Sequence, residues 1–384
     1  MKFVLNSKYD QAGVQIWIHE CSTLLQKEGF ETNINDWDNY SKYDIVIFMP
    51  IDQEIDKARQ QNSDILIGLA DPKLPFASDT SKKADFLIVS SIEQRDIFLK
   101  YNPNIFIYYP FPDIRRIEKK HQAKDQIIIG YHGNKIHLNS FFPNITNALE
   151  ELGRHFKLEL WVIYNIEKLG QWKIGLPDNK YVKTNHIQWS PENIYTYLSQ
   201  SDIGIVPALM PIKNSFRLKK KACYAKNAFL ESDYDYFLRY KYSSNPGRIY
   251  TFSQLGIPVV SDFFPSASQF IHEGYGNDRT GFIAYSAEGW FYALYQLASD
   301  YRLRQLCADN LYDYISSNAR LELIINNFIV FLEKLKKNKI RMNDYNVKRT
   351  YQEPELKKLI IQEFFQKVKR KIRNKINNKY KESS

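Results

Sequence analysis

Residues 241–265 read KYSSNPGRIYTFSQLGIPVVSDFFP, and the fold is decided by how this run is parsed. Residues 243–247 carry turn-forming chemistry, Ser-Ser-Asn-Pro-Gly. Residues 248–255 are long enough for two helical turns. Gly256 suits the position just past a helix end, and Pro258 forbids continuation. Ile257, Val259 and Val260 then form an apolar, largely β-branched run, as expected of a strand buried on both faces. The parse is loop, helix, tight turn, buried strand, loop. A polar loop that feeds a helix N-terminus beside a parallel strand can bind an anion, because the first backbone N–H groups point out of the helix. Arg248 adds a charge there. An ordinary αβ unit with a surface arginine fits the same spacing.

Outward from this run, strand-like and helix-like segments alternate in both directions. On the N-terminal side the expected strands are 2–6, 32–34, 44–49, 64–69, 86–90 and 105–109, with helices over 14–28, 53–61 and 93–100. The stiff, then charged stretch 110–124, beginning Pro110-Phe111-Pro112, reads as an interdomain linker. The pattern restarts with strands at 126–131, 158–163, 187–189, 202–207, 259–260 and 281–284. Helices are expected over 142–154, 191–199 (with Ser190 as N-cap), 288–299, 302–316 and 321–336, and a polar, basic insertion fills 212–240. Strands alternating with helices mean a doubly wound α/β fold. The expected organisation is two Rossmann-like domains facing a cleft, over 1–112 and 126–336, a linker over 113–125, and a basic helical tail over 337–384.

Several strings together resemble the GT-B glycosyltransferases of the group-1, family-4-like retaining type. They are Gly130-Tyr-His-Gly133, the 189–207 unit, Gly256-Ile-Pro-Val-Val260 and Thr280-Gly-Phe282. In the first domain, 84–96 (ADFLIVSSIEQRD) is similar to the family's strand leading into a Ser-x-x-x-Arg helix start. The resemblance implies a nucleotide-diphosphate sugar as donor, no bound cofactor, and no metal: positive side chains and a helix N-terminus stabilise the leaving diphosphate instead. Arg248 falls where the family often has Lys or Arg. Thr251 falls where the family usually has a Glu that grips the donor ribose, and a Thr hydroxyl can still hydrogen-bond.

Site expectations follow from placement. In open α/β sheets ligands sit at the carboxyl ends of strands. The loop His132, Gly133, Asn134, Lys135 follows the second domain's first strand, where Gly133 lets backbone approach a phosphate and Lys135 can neutralise it. Ser244, Asn245 and Gly247 complete a diphosphate cradle with Arg248. Lys219, in the run Lys219-Lys220-Lys221, is either a second phosphate ligand or part of a solvated face. Asp71, at the end of a first-domain strand, either orients an acceptor hydroxyl or serves as a turn residue before Pro72. Gly13 and Gln15 lie on the acceptor side. No GxGxxG, no DxD in a strand–loop context and no nucleophile elbow occur.

Composition sets the limits. The 384 residues are 44% hydrophobic, with 27 Tyr and 24 Phe, enough for two cores. Three cysteines without metal or redox spacing point to a reducing, cytoplasmic setting. The first ten residues carry too little apolar length for a signal peptide and read as a strand. Of the net charge of +10, residues 333–384 hold +11 (17 Lys or Arg against 6 Asp or Glu), so the body is nearly neutral. No nucleic-acid groove is indicated in the body. The tail, with apolar residues spaced between lysines from Leu356 to Ile372, suits an anionic membrane surface or a helix crossing back to the first domain. The expected function is sugar transfer to a glycan or lipid-linked acceptor in surface polysaccharide synthesis. A non-catalytic GT-B-like binding protein and a nucleotide-sugar epimerase of the same fold are the alternatives.

Overall fold

The computed structural model describes residues 1–9, 12–51, 53–211, 238–240, 244–274 and 276–338, together with 364, 365 and 368. Residues 1–342 form one compact unit holding two six-stranded parallel sheets. The first contains β1 (Lys2–Asn6), β2 (Glu31–Ile34), β3 (Ile45–Phe48), β4 (Leu66–Ala70), β5 (Phe86–Val89) and β6 (Ile105–Ile107), in the order β2-β1-β3-β4-β5-β6. The second contains β7 (Gln126–His132), β8 (Lys157–Tyr164), β9 (Val182–Gln188), β10 (Ile203–Val206), β13 (Val259–Asp262) and β14 (Phe282–Ala284), in the order β14-β13-β10-β7-β8-β9. A short antiparallel pair, β11 (Leu209–Pro211) and β12 (Leu238–Tyr240), brackets the insertion.

The apolar runs become strands because helices cover both faces of each sheet. Every residue of β3, β5, β10 and β13 is buried. Each sheet also reverses its strand order once: between β1 and β3, and between β7 and β10. At such a switch point neighbouring connections leave on opposite faces, and a crevice opens at the carboxyl ends of the strands. In the second sheet it lies beside the loop after His132 and the end of β10.

Local boundaries shift where tertiary contacts intervene. The first helix begins at Ala12–Val14, passes through a π-helical turn over Gln15–Glu20 and ends as Cys21–Lys27. β9 is longer than the three residues expected, because pairing with β8 recruits polar Lys183, Thr184 and Asn185. Ser190 is not an N-cap. The helix starts later, as Ile194–Leu198, and Asn193 Oδ1 accepts the Ser190 N–H at 3.0 Å.

The linker is no free spacer. Beyond Ile114 it is strapped to the second domain. Arg116 reaches Ser253 O and Asp309, each at 2.9 Å, and Ile117 N–H donates to Gln254 O at 2.7 Å. His121 Nε2 meets Gly256 O at 2.9 Å and Lys124 pairs with Asp202 at 2.6 Å. Gly256 is required twice over: its φ is +67°, and a Cβ there would lie 3.0 Å from Ile117 O.

The helix Leu321–Asn338 departs from the expected division at 126–336. It packs on the first sheet, with Phe328 against Phe106 at 5.1 Å and Phe86 at 6.2 Å, and Lys336 paired with Asp44 at 2.7 Å. The crossing back to the first domain is therefore made by this helix. No described helix is long and apolar enough to cross a membrane. Apart from 337, 338 and the three residues named above, the tail lies outside the described residues, as do Lys219 and nearly all of the insertion.

Candidate functional site

The second sheet's crevice is built from two chain segments. On one side β7 ends at His132 and the chain turns through Gly133 at φ +130°. The Gly133 N–H donates to Ile163 O at 3.1 Å, and the Tyr131 hydroxyl donates to Asn134 O at 2.7 Å, fixing the loop. Asn134 Oδ1 accepts the Ile136 N–H at 3.0 Å and so caps the short turn Lys135–Leu138. On the other side Ser244, Asn245 and Pro246 lead into the helix Gly247–Gln254, with Asn245 Oδ1 accepting the Gly247 N–H at 3.0 Å.

Arg248 reaches from the helix across to the loop. A Cβ placed on Gly133 would lie 3.6 Å from Arg248 Cδ, ordinary contact distance, so the arginine passes directly over the glycine, whose φ of +130° is what requires that residue. The guanidinium carbon stands 5.7 Å from the centre of the Tyr131 ring. Nη2 donates to Pro207 O, at the end of β10, at 2.7 Å. Nη1 is buried and has no partner. Burial lowers the Arg248 pKa, with Tyr131 and Asp262 opposing, but a guanidinium remains protonated in proteins.

Two more orphaned polar atoms belong to the same segments. His132 Nε2 is buried without a partner, its ring edge-on to Phe252 at 5.4 Å. Burial, then the nearby Arg248 charge, pushes the His132 pKa down to about 3, so the ring is neutral at physiological pH. Ser244 Oγ is also buried and unpartnered. Buried polar atoms are nearly always satisfied, and leaving one bare costs about 1–3 kcal/mol. Three on two facing segments, one of them cationic, make a site suited to an anion with several acceptor oxygens.

Other expected residues are placed differently. Lys135 Nζ donates to Gly170 O at 3.0 Å and to Leu169 O, so its charge is spent on the end of the turn Ile166–Leu169. Thr251 is 2% exposed, and its hydroxyl bonds back to Gly247 O at 3.1 Å within its own helix. Gly247 lies against the linker: a Cβ there would sit 3.1 Å from Pro110 O. Sequence reasoning overlooked Asp262, a buried carboxylate that accepts the Ala208 N–H at 2.8 Å and the Trp290 Nε1–H at 3.1 Å, holding the chain just beyond Pro207. An Asp closing an apolar strand was its only signal.

In the first domain Asp71 follows β4 with φ +52°, a left-handed conformation costly for a residue with a Cβ. It is held there by its N–H on Ile88 O at 2.8 Å, Lys73 Nζ at 2.6 Å and Gln94 Nε2 at 3.1 Å. Gly13 and Gln15 lie exposed on the first helix. The domains meet instead through Glu93, whose carboxylate accepts the Ser266 N–H at 3.0 Å and its hydroxyl, and through Phe111 stacked on Tyr250 at 4.2 Å. Among the described residues no group of three or more His, Cys, Asp or Glu is placed to hold a metal ion.

No family model matches the chain, and no curated protein matches it in sequence. Solved structures do. An alpha-glucosyltransferase bound to UDP and a 13-mer DNA containing an HMU base is similar at TM-score 0.56 and 12% identity, over 87% of this chain and 99% of that one. Sucrose-phosphate synthase from Thermosynechococcus elongatus is similar at TM-score 0.55 and 10% identity, over 88% and 99%. HepE of Anabaena, in complex with UDP-glucose, is similar at TM-score 0.55 and 11% identity, over 87% and 100%. The fold is GT-B. In a GT-B molecule the cleft runs between the carboxyl edges of the two sheets, so Arg248 and His132 stand on the second domain's wall.

Proposed function

We propose that the chain transfers a sugar from a nucleotide-diphosphate donor to a glycan or lipid-linked acceptor, as in surface polysaccharide synthesis. The observation that carries this reading is the buried, unpartnered Nη1 of Arg248, opposite Gly133 at the second sheet's switch point. A diphosphate oxygen supplies what Nη1 lacks. As the bond from the anomeric carbon to the diphosphate oxygen breaks, charge grows on that oxygen. A preorganised, desolvated guanidinium is worth more there than in water. Ser244 Oγ–H adds a donor, and the neutral His132 ring adds one in the Nε2–H tautomer. With this cation in place the reading requires no metal.

The acceptor hydroxyl attacks the anomeric carbon from the first domain's side, and Asp71 orients it and takes its proton as the new bond forms. Retention of configuration is the family's habit and part of this proposal. So are a cytoplasmic setting and peripheral attachment to an anionic membrane through the basic tail. Lys219 remains a candidate second phosphate ligand. UDP-sugars are the first donors to test, because HepE and the alpha-glucosyltransferase are described with UDP.

A second reading, a GT-B protein that binds a nucleotide or glycan without turnover, is favoured by Thr251, whose hydroxyl is engaged within its own helix where the family has a ribose-gripping Glu. Nucleotide release from a panel of donors, with and without saccharide acceptors, separates the two. Acceptor-dependent release supports transfer. Binding without release, measured by calorimetry on the same donors, overturns it. Release without an acceptor points to hydrolysis, and donor isomerisation without release to the epimerase.

A further inference from the structure

The first helix and the linker share a feature that the donor site does not use. The π-helical turn Gln15–Glu20 ends at a glutamate whose carboxylate accepts the backbone N–H of Asp113. π turns inside helices are rare and concentrate at functional positions. The other carboxylate oxygen, Glu20 Oε2, is buried and has no partner. Around it runs a small groove whose floor includes Leu24 and whose polar groups come from Gln15, His19, Thr23, Lys27 and Asp113.

Asp113 occupies a special place in the chain. Before it, Tyr108 is buried against the first domain's Trp17 at 5.6 Å. After it, the contacts from Arg116 to Lys124 strap the chain to the second domain. Residues 109–113 are thus one of two stretches in which the polypeptide passes between the bodies, the other leading into the helix Leu321–Asn338, and a hinge is built from such stretches. Two first-domain side chains hold the far end of 109–113, Glu20 at the Asp113 N–H and Lys27 at the Asp113 carboxylate.

We propose that the Glu20 carboxyl is a protonation-controlled clasp on this hinge, which holds the two domains together while neutral and loosens them when ionised. The groups facing it leave its negative charge poorly compensated. The linker presents the Asp113 carboxylate. The helix of Glu20 presents His19, Cys21 and Lys27, and Lys27 is drawn 3.7 Å from Asp113. The first domain adds Tyr108. The second domain adds Tyr195 from Ile194–Leu198 and Tyr250 from Gly247–Gln254, with Glu322 acting on Tyr250. A neutral carboxylic acid fits this setting, because Oε2 can carry the proton and Asp113 then meets no like charge.

The pH window follows from linkage. Burial, with the Asp113 charge adding to it, outweighs the opposing pull of the Asp113 N–H bond and raises the Glu20 pKa from 4.5 to about 7 in the clasped form. Below 4.5 the group is protonated whether clasped or free, and the clasp is at full strength. As pH rises to about 7 the free form loses its proton first, so the clasp weakens, and above that it stays weak.

Small-angle scattering of the full chain at pH 5 and pH 8 tests this. The radius of gyration should be larger at pH 8 in the wild type, and that change should be lost in Glu20→Gln, which stays compact at both. Asp113→Asn, at an exposed side chain, should shrink the change by relieving the like charge, and it serves as the second variant if Glu20→Gln folds poorly. His19→Gln should leave the change intact. Equal radii in the wild type, a wild-type change persisting in Glu20→Gln or in Asp113→Asn, or its loss in His19→Gln would overturn the proposal. None of these readings depends on sugar transfer, so failure here leaves the donor assignment standing, and the reverse holds too.

Discussion

The carboxyl edges of the two sheets offer the same topology and use it in opposite ways. On the first sheet Asp71 is strained but held: its N–H donates to the Ile88 carbonyl and its Oδ1 accepts from Lys73 and Gln94, all inside its own domain. On the second sheet His132, Ser244 and Arg248 are buried with atoms left bare. The first edge leaves one neutral atom bare, Asn6 Oδ1 at the end of β1, whereas the second gathers three on two facing segments, one of them cationic, at a cost in stability. A wall of the second kind gains its missing bonds when an anion arrives, which is how a protein directs binding energy to a ligand rather than to its own fold.

The sharpest way to break this contrast is at Arg248. Under the proposed function, Arg248→Ala should lower turnover by roughly two orders of magnitude, the scale seen when one charge-stabilising donor is lost. Its thermal stability should change little, because removal of the bare Nη1 offsets the lost Nη2 bond to Pro207 O. Turnover and Tm measured on one preparation check both halves, and a wild-type rate removes Arg248 from the site. Asp71→Asn comes next. Turnover should fall by roughly tenfold, at the low end of general acid–base effects, while the Lys73 pair is lost. An unchanged rate with a lowered Tm would make Asp71 a turn residue only.

His132→Phe should raise Tm by a few degrees, since it deletes a buried unsatisfied nitrogen worth about 1 kcal/mol or more. Donor binding, by calorimetry, should weaken at the same time. The same variant has a pH signature. With its pKa at about 3 when folded against 6.5 when unfolded, His132 lets the unfolded chain bind more protons below pH 6.5. Stability should therefore fall as pH drops from 6.5, and the variant should lose part of that fall. The smallest effect is expected at Lys135→Ala. Turnover should stay within a few-fold of wild type, because the ammonium is bound to the Leu169 and Gly170 carbonyls, and Tm should drop slightly. A large loss of rate would return Lys135 to the phosphate wall.

The readings that held were those set by local chemistry. Gly256 at φ +67°, Pro258 behind it and the buried Val259–Asp262 strand follow from conformational preference and apolar content over a few residues. The two-domain α/β plan follows from the alternation of such segments along the whole chain. Readings that depended on where a side chain turns fared differently. Lys135 and Thr251 sit close in sequence to the cradle, but each found a backbone carbonyl nearer than the crevice. The linker looked like a charged spacer because Arg116, Lys119 and His121 carry no sign of the carbonyls that await them at Ser253, Ser199 and Gly256. The helix after Leu321 looked like the end of the second domain because its apolar face does not say which sheet it will cover.

The run from 241 to 265 thus separates what this sequence determined alone from what the tertiary structure decided. Alone, it specified loop, helix, turn and strand, because backbone conformation and burial are dictated by a few neighbouring residues. It did not specify that Arg248 would pass Gly133, take the Pro207 carbonyl with one nitrogen and leave the other bare. That outcome needed β10 beside β7 and β13, a strand order set by packing between segments far apart in the chain, and only in that order do the two halves of the crevice face one another.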